Sequence, residues 1–302
     1  MSKGKLFKEL VNAPEILVCP GVYDGFSLKI TEQAGFKAGS ITGAGVSECH
    51  FGWPDHGIMG FEGNLRISRM LAERTELPLR VDADTGYGNA VTVHFVCRAF
   101  EKAGLASMMI EDQVWPKRCG HMAGKGVIPT EEMVEKVRAA ADARIDQDFC
   151  IMARTDSAAV HGVDDVIDRL CRFVEAGADI CYADALMSAD DIQKVVDNIP
   201  APLCVNMGLG FQTRGTTPLI TPIQLQAMGV AMVNFPRLLT TAAVKGMQNC
   251  MAAFKQMIEG EEPEARDDLQ ISFSDLGDLM ELPFLDELDE KYAVSDDAAV
   301  EK

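Results

Sequence analysis

No apolar run in this chain is long enough to span a bilayer, so a membrane partner is not expected. Positive charge is scarce: 28 Lys and Arg stand against 46 Asp and Glu, for a formal net charge of −18. Nucleic acid and anionic membrane surfaces are therefore not expected as partners of the molecule as a whole, although cations converging locally could still hold a small anionic substrate. Part of the acidic excess lies in EGEEPEARDD and DELDEKYAVSDDAAVEK, where a solvated face and a frayed tail explain it. The nine cysteines are odd in number and contain no CxxC pair, which argues against a disulfide framework. Cys19, Cys150, Cys181 and Cys204 sit in apolar runs as small core residues. The N-terminal MSKGKLFKELVNAPE lacks the apolar core and cleavage site of a secretory signal, so a cytoplasmic protein is expected. There is no P-loop and no dinucleotide fingerprint after the first apolar run.

What the sequence does have is a rhythm. Eight short apolar runs, ILVCP (16–20), GSITG (39–43), LRVDAD (79–84), SMMIED (107–112), CIMARTD (150–156), ICYAD (180–184), LCVNM (203–207) and AMVNF (231–235), alternate with segments of helical periodicity. EKAG, VEAG and QAMG place glycine where a helix C-terminus favours a left-handed residue. Thr130 before two glutamates and Ser188 before two aspartates mark helix starts. Eight strand–helix units predict a closed (β/α)8 barrel; an open doubly wound sheet would more usually have fewer strands. No linker divides the chain. One domain over 1–302 is expected, with 262–302 as a C-terminal helical extension and acidic tail.

In such a barrel, chemistry belongs at the C-terminal strand ends. Polar residues stand there at almost every run: Thr42, Asp82 and Asp84, Glu111 and Asp112, Arg154 and Asp156, Asp184, Asn206 and Asn234. Asp82 and Asp84 alternate along an extended backbone and would share a face. Glu111 and Asp112 end the next run and would lie adjacent, and Asp55 lies in the loop after the second. Aspartates beside glycine are commonly caps and turn formers. With Glu111 beside them, however, the set favours a hard, oxygen-loving cation, Mg²⁺ or Mn²⁺. Lys117, Arg118 and Lys125 follow the fourth strand, as site cations or as loop solubility. Arg154 could clamp a carboxylate in a bidentate fork, or pair with Asp156 or another barrel acid. Cys119, between Arg118 and Gly120-His121, could donate a proton near neutral pH, with His121 orienting it or serving as a plain loop residue. Thr42-Gly43-Ala44-Gly45 would let backbone N–H groups approach a ligand oxygen.

GAG after the second run, WPDHG, VDADTGYGN, IEDQVWPKRCGH and MARTD together resemble the isocitrate lyase / phosphoenolpyruvate mutase superfamily over nearly the whole chain. KRCGH resembles its lyase branch, which includes methylisocitrate lyase, 2,3-dimethylmalate lyase, oxaloacetate hydrolase and petal death protein. The resemblance implies a TIM barrel with a C-terminal helix swapped between subunits of a homotetramer. It implies that Asp84 binds Mg²⁺ directly while Asp55, Asp82 and Glu111 hold its waters. Cys119 would be the catalytic acid, with Lys117 beside it, and Arg154 would hold a substrate carboxylate. Thr42, the N–H groups of Gly43 and Ala44, and Asn206 would contact the carboxylate and oxyanion end. The implied reaction cleaves a 2-hydroxy di- or tricarboxylate, dimethylmalate-like or methylisocitrate-like, to a 2-keto acid and a carboxylate. The alternative is hydrolysis or decarboxylation of oxaloacetate on the same scaffold. Ser40 stands where methylisocitrate lyases carry Tyr, and Asp184 where Glu is usual. A long NMGLGFQTRGTTPLIT loop brings Arg214, and NFPRL brings Arg237, as further candidate cations. These differences fall where substrate side groups would sit.

Overall fold

Strands buried on both faces need near-continuous apolar runs, and the eight predicted runs meet that requirement. The computed structural model describes residues 1–118, 124–213, 215–260 and 262–293. Its strands are β1 (Leu17–Val22), β2 (Gly39–Ile41), β3 (Leu79–Asp82), β4 (Ser107–Glu111), β5 (Cys150–Thr155), β6 (Ile180–Ala183), β7 (Leu203–Asn206) and β8 (Met232–Phe235). They pair in parallel in chain order, and β8 closes on β1. β2 to β6 stop one or two residues short of the predicted polar ends, because those residues turn into the rim loops, whereas β7 and β8 include Asn206 and Asn234.

Side-chain alternation sorts every strand into two populations. Ile41, Val81, Ile110, Ile151, Val205 and Val233 face outward, into the core shared with the helices. Cys19, Met109, Met152, Tyr182, Cys204 and Met232 face inward and fill the barrel. The foot is closed by α1 (Lys3–Val11), whose Phe7 and Val11 join the inner cluster. Gly4 lies so close to the chain before β5 that a Cβ there would meet the Asp148 carbonyl oxygen at 2.7 Å.

The outer layer contains α2 (Gly25–Gln33), α3 (Gly43–Phe51), α4 (Gly60–Ala72), α5 (Ala90–Lys102), α6 (Thr130–Ala143), α7 (Ala158–His161), α8 (Val163–Glu175), α9 (Ala189–Val196) and α10 (Pro222–Ala227). The predicted glycine stops are real: Gly104, Gly177 and Gly229 all have positive φ just after their helices. Ser188 caps α9 by accepting from the Asp191 N–H at 3.0 Å. Thr130 is the first helical residue of α6 rather than its cap, because Pro129 takes the cap position. The chain forms two compact units, Met1–Thr241 and Ala242–Lys302. The helix α11 (Leu238–Ile258) runs into the second unit, which also holds α12 (Phe273–Leu279) and α13 (Leu282–Tyr292). Among the described residues, no helix is long and apolar enough to cross a membrane.

Candidate active site

The strand ends gather Thr42, Asp82, Asp84, Glu111, Arg154, Asp184 and Asn206 at one rim of the barrel, nearly all of them buried. The TGAG segment is not a turn. Thr42 caps α3, its hydroxyl accepting from the Gly45 N–H at 3.4 Å, so the N–H groups of Gly43 and Ala44 form a helix N-terminus. That positive end lies against the acids: a Cβ on Gly43 would sit 3.2 Å from Asp82 Oδ2 and 3.5 Å from Asp84 Oδ1. Asp82 and Asp84 do not simply alternate along a strand. β3 ends at Asp82, and Asp84 has φ +48°, with its N–H donating to Asp82 Oδ1 at 3.1 Å. That uncommon backbone is held by its surroundings and brings both carboxylates to Gly43. Asn64 of α4 donates 2.7 Å bonds to the Asp82 carbonyl and the Tyr87 hydroxyl, steadying the same loop. This polar residue on the buried face of a helix escaped the sequence reading.

Lys117 bridges Asp55, in a short ion pair, and Asp84, at 2.8 Å. Burial disfavours its ammonium, but Asp84, Asp55 and Glu111 outweigh burial and hold the pKa well above the ordinary lysine value. Burial pushes the Asp84 carboxyl up to about 6 against the pull of Lys117, and it pushes Glu111 well above the ordinary range against Arg154. Glu111 Oε1 has no hydrogen-bond donor among the described residues. Its neighbour Asp112 points the other way, a correction to the expectation that the two lie together. Asp112 accepts from Thr155 (2.7 Å), the Asp156 N–H (2.9 Å) and Arg169 (3.1 Å), behind the strands.

Arg154 realises the ion-pair alternative. Its Nε and Nη2 donate to Asp156 at 2.7 and 2.9 Å, with Glu111 at 3.3 Å and Asp184 at 3.1 Å. Nη1 has no partner among the described residues. Lys125 completes the cluster at 2.8 Å from Asp156. Asn206 donates to Asp184 at 3.1 Å and accepts from the Gly208 N–H at 2.7 Å. Arg237 pairs with Glu48 of α3, and its charge is also felt by Asp55. Cys119, His121 and Arg214 lie outside the described residues.

Among the described residues, Lys117 and a shared Arg154 form ion pairs with Asp55, Asp84 and Glu111, while Asp82 stands beside Asp84. With Glu111 Oε1 orphaned, this all-oxygen set suits a hard divalent cation. No three acid, His or Cys side chains among the described residues stand close enough to clasp an ion directly.

A closed parallel barrel with buried acids and cations at its strand ends defines a barrel enzyme. The chain belongs to the phosphoenolpyruvate mutase / isocitrate lyase superfamily: the family model for phosphoenolpyruvate phosphomutase matches residues 7–255. It is 35% identical over 293 residues to 2,3-dimethylmalate lyase of Eubacterium barkeri, covering 97% of this chain and 99% of that protein. Oxaloacetate acetylhydrolase in complex with 3,3-difluorooxalacetate superposes with a TM-score of 0.88 at 30% identity, covering 96% of this chain and 97% of that one. Phosphonopyruvate hydrolase in complex with oxalate and Mg²⁺ superposes at 0.84 and 26% identity, covering 97% and 99%.

Proposed function

We propose that the chain is a Mg²⁺-dependent carbon–carbon lyase. It would cleave a 2-hydroxy di- or tricarboxylate, 2,3-dimethylmalate-like or 2-methylisocitrate-like, to a 2-keto acid and a carboxylate. The observation that carries the reading is the convergence of Asp55, Asp84 and Lys117 beside the start of α3. Full-length similarity to a dimethylmalate lyase supports it. Asp84 would hold the cation directly, and Asp55, Asp82 and Glu111 would hold its waters. Bound there, Mg²⁺ would polarise the oxygens of a 2-hydroxy acid. The Thr42 hydroxyl and the N–H groups of Gly43 and Ala44 orient one carboxylate and meet the charge that develops on it. Arg154, whose Nη1 has no partner among the described residues, would hold a second carboxylate, and Asp156 fixes its plane. Asp184 and Asn206 shape the wall beside it. The 2-hydroxyl would give its proton to solvent as the C2–C3 bond breaks; C2 would become a carbonyl, the bonding pair would stay on C3, C3 would take a proton from the Cys119 thiol, and the thiolate would regain one from solvent. Lys117 holds Asp55 and Asp84 in place, and His121 accompanies the thiol.

A panel of 2-hydroxy and 2-keto acids, assayed with Mg²⁺ for keto-acid release, tests this. Turnover should vanish with chelator and with Asp84→Asn, and fall at least 10²-fold with Cys119→Ser, on the order expected for removing a general acid. Undiminished turnover in chelated protein would end the reading. Likeness to oxaloacetate acetylhydrolase keeps a second reading, hydrolysis or decarboxylation of oxaloacetate. Oxalate or pyruvate release from oxaloacetate, with no cleavage of the hydroxy acids, would select it.

A further inference from the structure

Asp55, Asp84 and Lys117 come from three separate rim segments, and one aromatic side chain on the third segment touches the other two. Trp115 stands two residues before Lys117, after β4. Its indole packs on the turn between α3 and α4 at Gly57, two residues past Asp55. A Cβ on Gly57 would lie 2.6 Å from the indole Cη2 and 2.9 Å from Cζ3, so only glycine lets the backbone come this close to the ring. The same indole meets the ring of Tyr87, three residues past Asp84, edge-on at 6.5 Å between centroids. Tyr87 is itself fixed. Its hydroxyl takes the Asn64 bond, and its ring lies 5.6 Å from Phe61, which meets the fully buried Phe100 at 5.8 Å. Gln113 braces the turn that joins Trp115 to Lys117: its carboxamide accepts from the Arg118 N–H at 3.0 Å and donates to the Arg118 carbonyl at 2.9 Å. The seat of the indole therefore sets where Lys117 enters between Asp55 and Asp84. Trp115 is 46% exposed, so truncating it leaves the barrel core intact.

We propose that Trp115 is a positioning residue of the site: its indole, seated against the Gly57 turn and Tyr87, holds Lys117 buried between Asp55 and Asp84. Its effect on Mg²⁺ rests on the cation site assigned above, whereas the seating of Lys117 does not. In metal-free full-length protein, an amine reagent followed by peptide mass spectrometry reads the exposure of each lysine. Lys117 should react about tenfold faster in Trp115→Ala than in the wild type, through local opening of its segment. Lys136 of α6, which like Lys117 is 4% exposed, should stay protected in both and so report that the barrel is folded. Trp115→Phe keeps an aromatic face and should restore most of the protection. Calorimetry should find Mg²⁺ bound about tenfold more weakly by Trp115→Ala, on the order seen when the supports of metal ligands are removed, with Trp115→Phe in between. Equal labelling of Lys117 in the wild type and Trp115→Ala would overturn the proposal. Labelling of Lys136 in step with Lys117 would overturn it too, since that marks general loosening. Trp115-dependent protection of Lys117 in a protein with no affinity for Mg²⁺ would uphold the seating and end the cation reading instead.

Discussion

Asp156 shows how one side chain can decide what its neighbours are able to do. Burial draws its carboxyl upward, but Arg154 and Lys125 outweigh burial and hold it below the ordinary aspartate value. Its folded pKa therefore lies under the unfolded one, about 3.9. The stability it contributes is complete above that value and is lost as pH falls through the folded pKa. Asp156→Asn removes the nearest of the three carboxylates around the buried Arg154 guanidinium, leaving Glu111 and Asp184, and should cost about 1.5–3 kcal/mol near neutral pH. Urea unfolding at pH 7 and pH 3 should show that the substitution costs somewhat less at the lower pH, with most of the contribution still present there. The thiols follow the same logic in the opposite direction. Burial pushes Cys19, Cys150 and Cys181 up to about 12. At pH 8 these three should resist a thiol reagent that labels exposed Cys49, and they should react once the chain is unfolded in denaturant.

At the scale of elements, the excursion from β4 to α6 is pinned at its base. Arg169 of α8 donates to Asp112 at 3.1 Å and to the Ile128 carbonyl at 2.9 Å, while the Ile128 N–H donates to the Asp112 carbonyl at 2.8 Å. Both legs of the segment carrying Lys117 are thus tied to one buried ion pair. Arg169→Met should speed limited proteolysis between residues 113 and 127 and cost about 3–5 kcal/mol in unfolding. Gly43→Ala presents the complementary case. Its methyl group would crowd Asp82 and Asp84, so Mg²⁺ affinity, measured by calorimetry, should fall while the fold persists. Much of this was legible beforehand. The eight strands show as apolar runs because both strand faces are buried, and the rim residues are marked by polarity at the strand ends. The helical start at Thr42 was hidden because a glycine-rich helix N-terminus resembles a turn. The outward aim of Asp112 was hidden because two adjacent acids look like a pair until the pleat separates them. The filling of Arg154's fork by Asp156 depends on how far β5 extends, and a string of residues does not record that.

At the scale of the whole molecule, the second unit presents Met247, Met251, Phe254, Phe273, Phe284 and Leu285 as exposed apolar side chains. We expect these helices to pack on another copy of the chain in a homotetramer. Light scattering should report an oligomer, and Met251→Glu with Phe254→Glu should reduce its mass. A monomeric wild type would refute the expectation.

The plug formed by α1 has a practical consequence. Phe7 and Val11 seal the pole opposite the rim, so the first residues of the chain emerge on the side away from the chemistry. A tether attached ahead of Ser2 would anchor the enzyme to a bead or electrode with its mouth open to the bulk liquid.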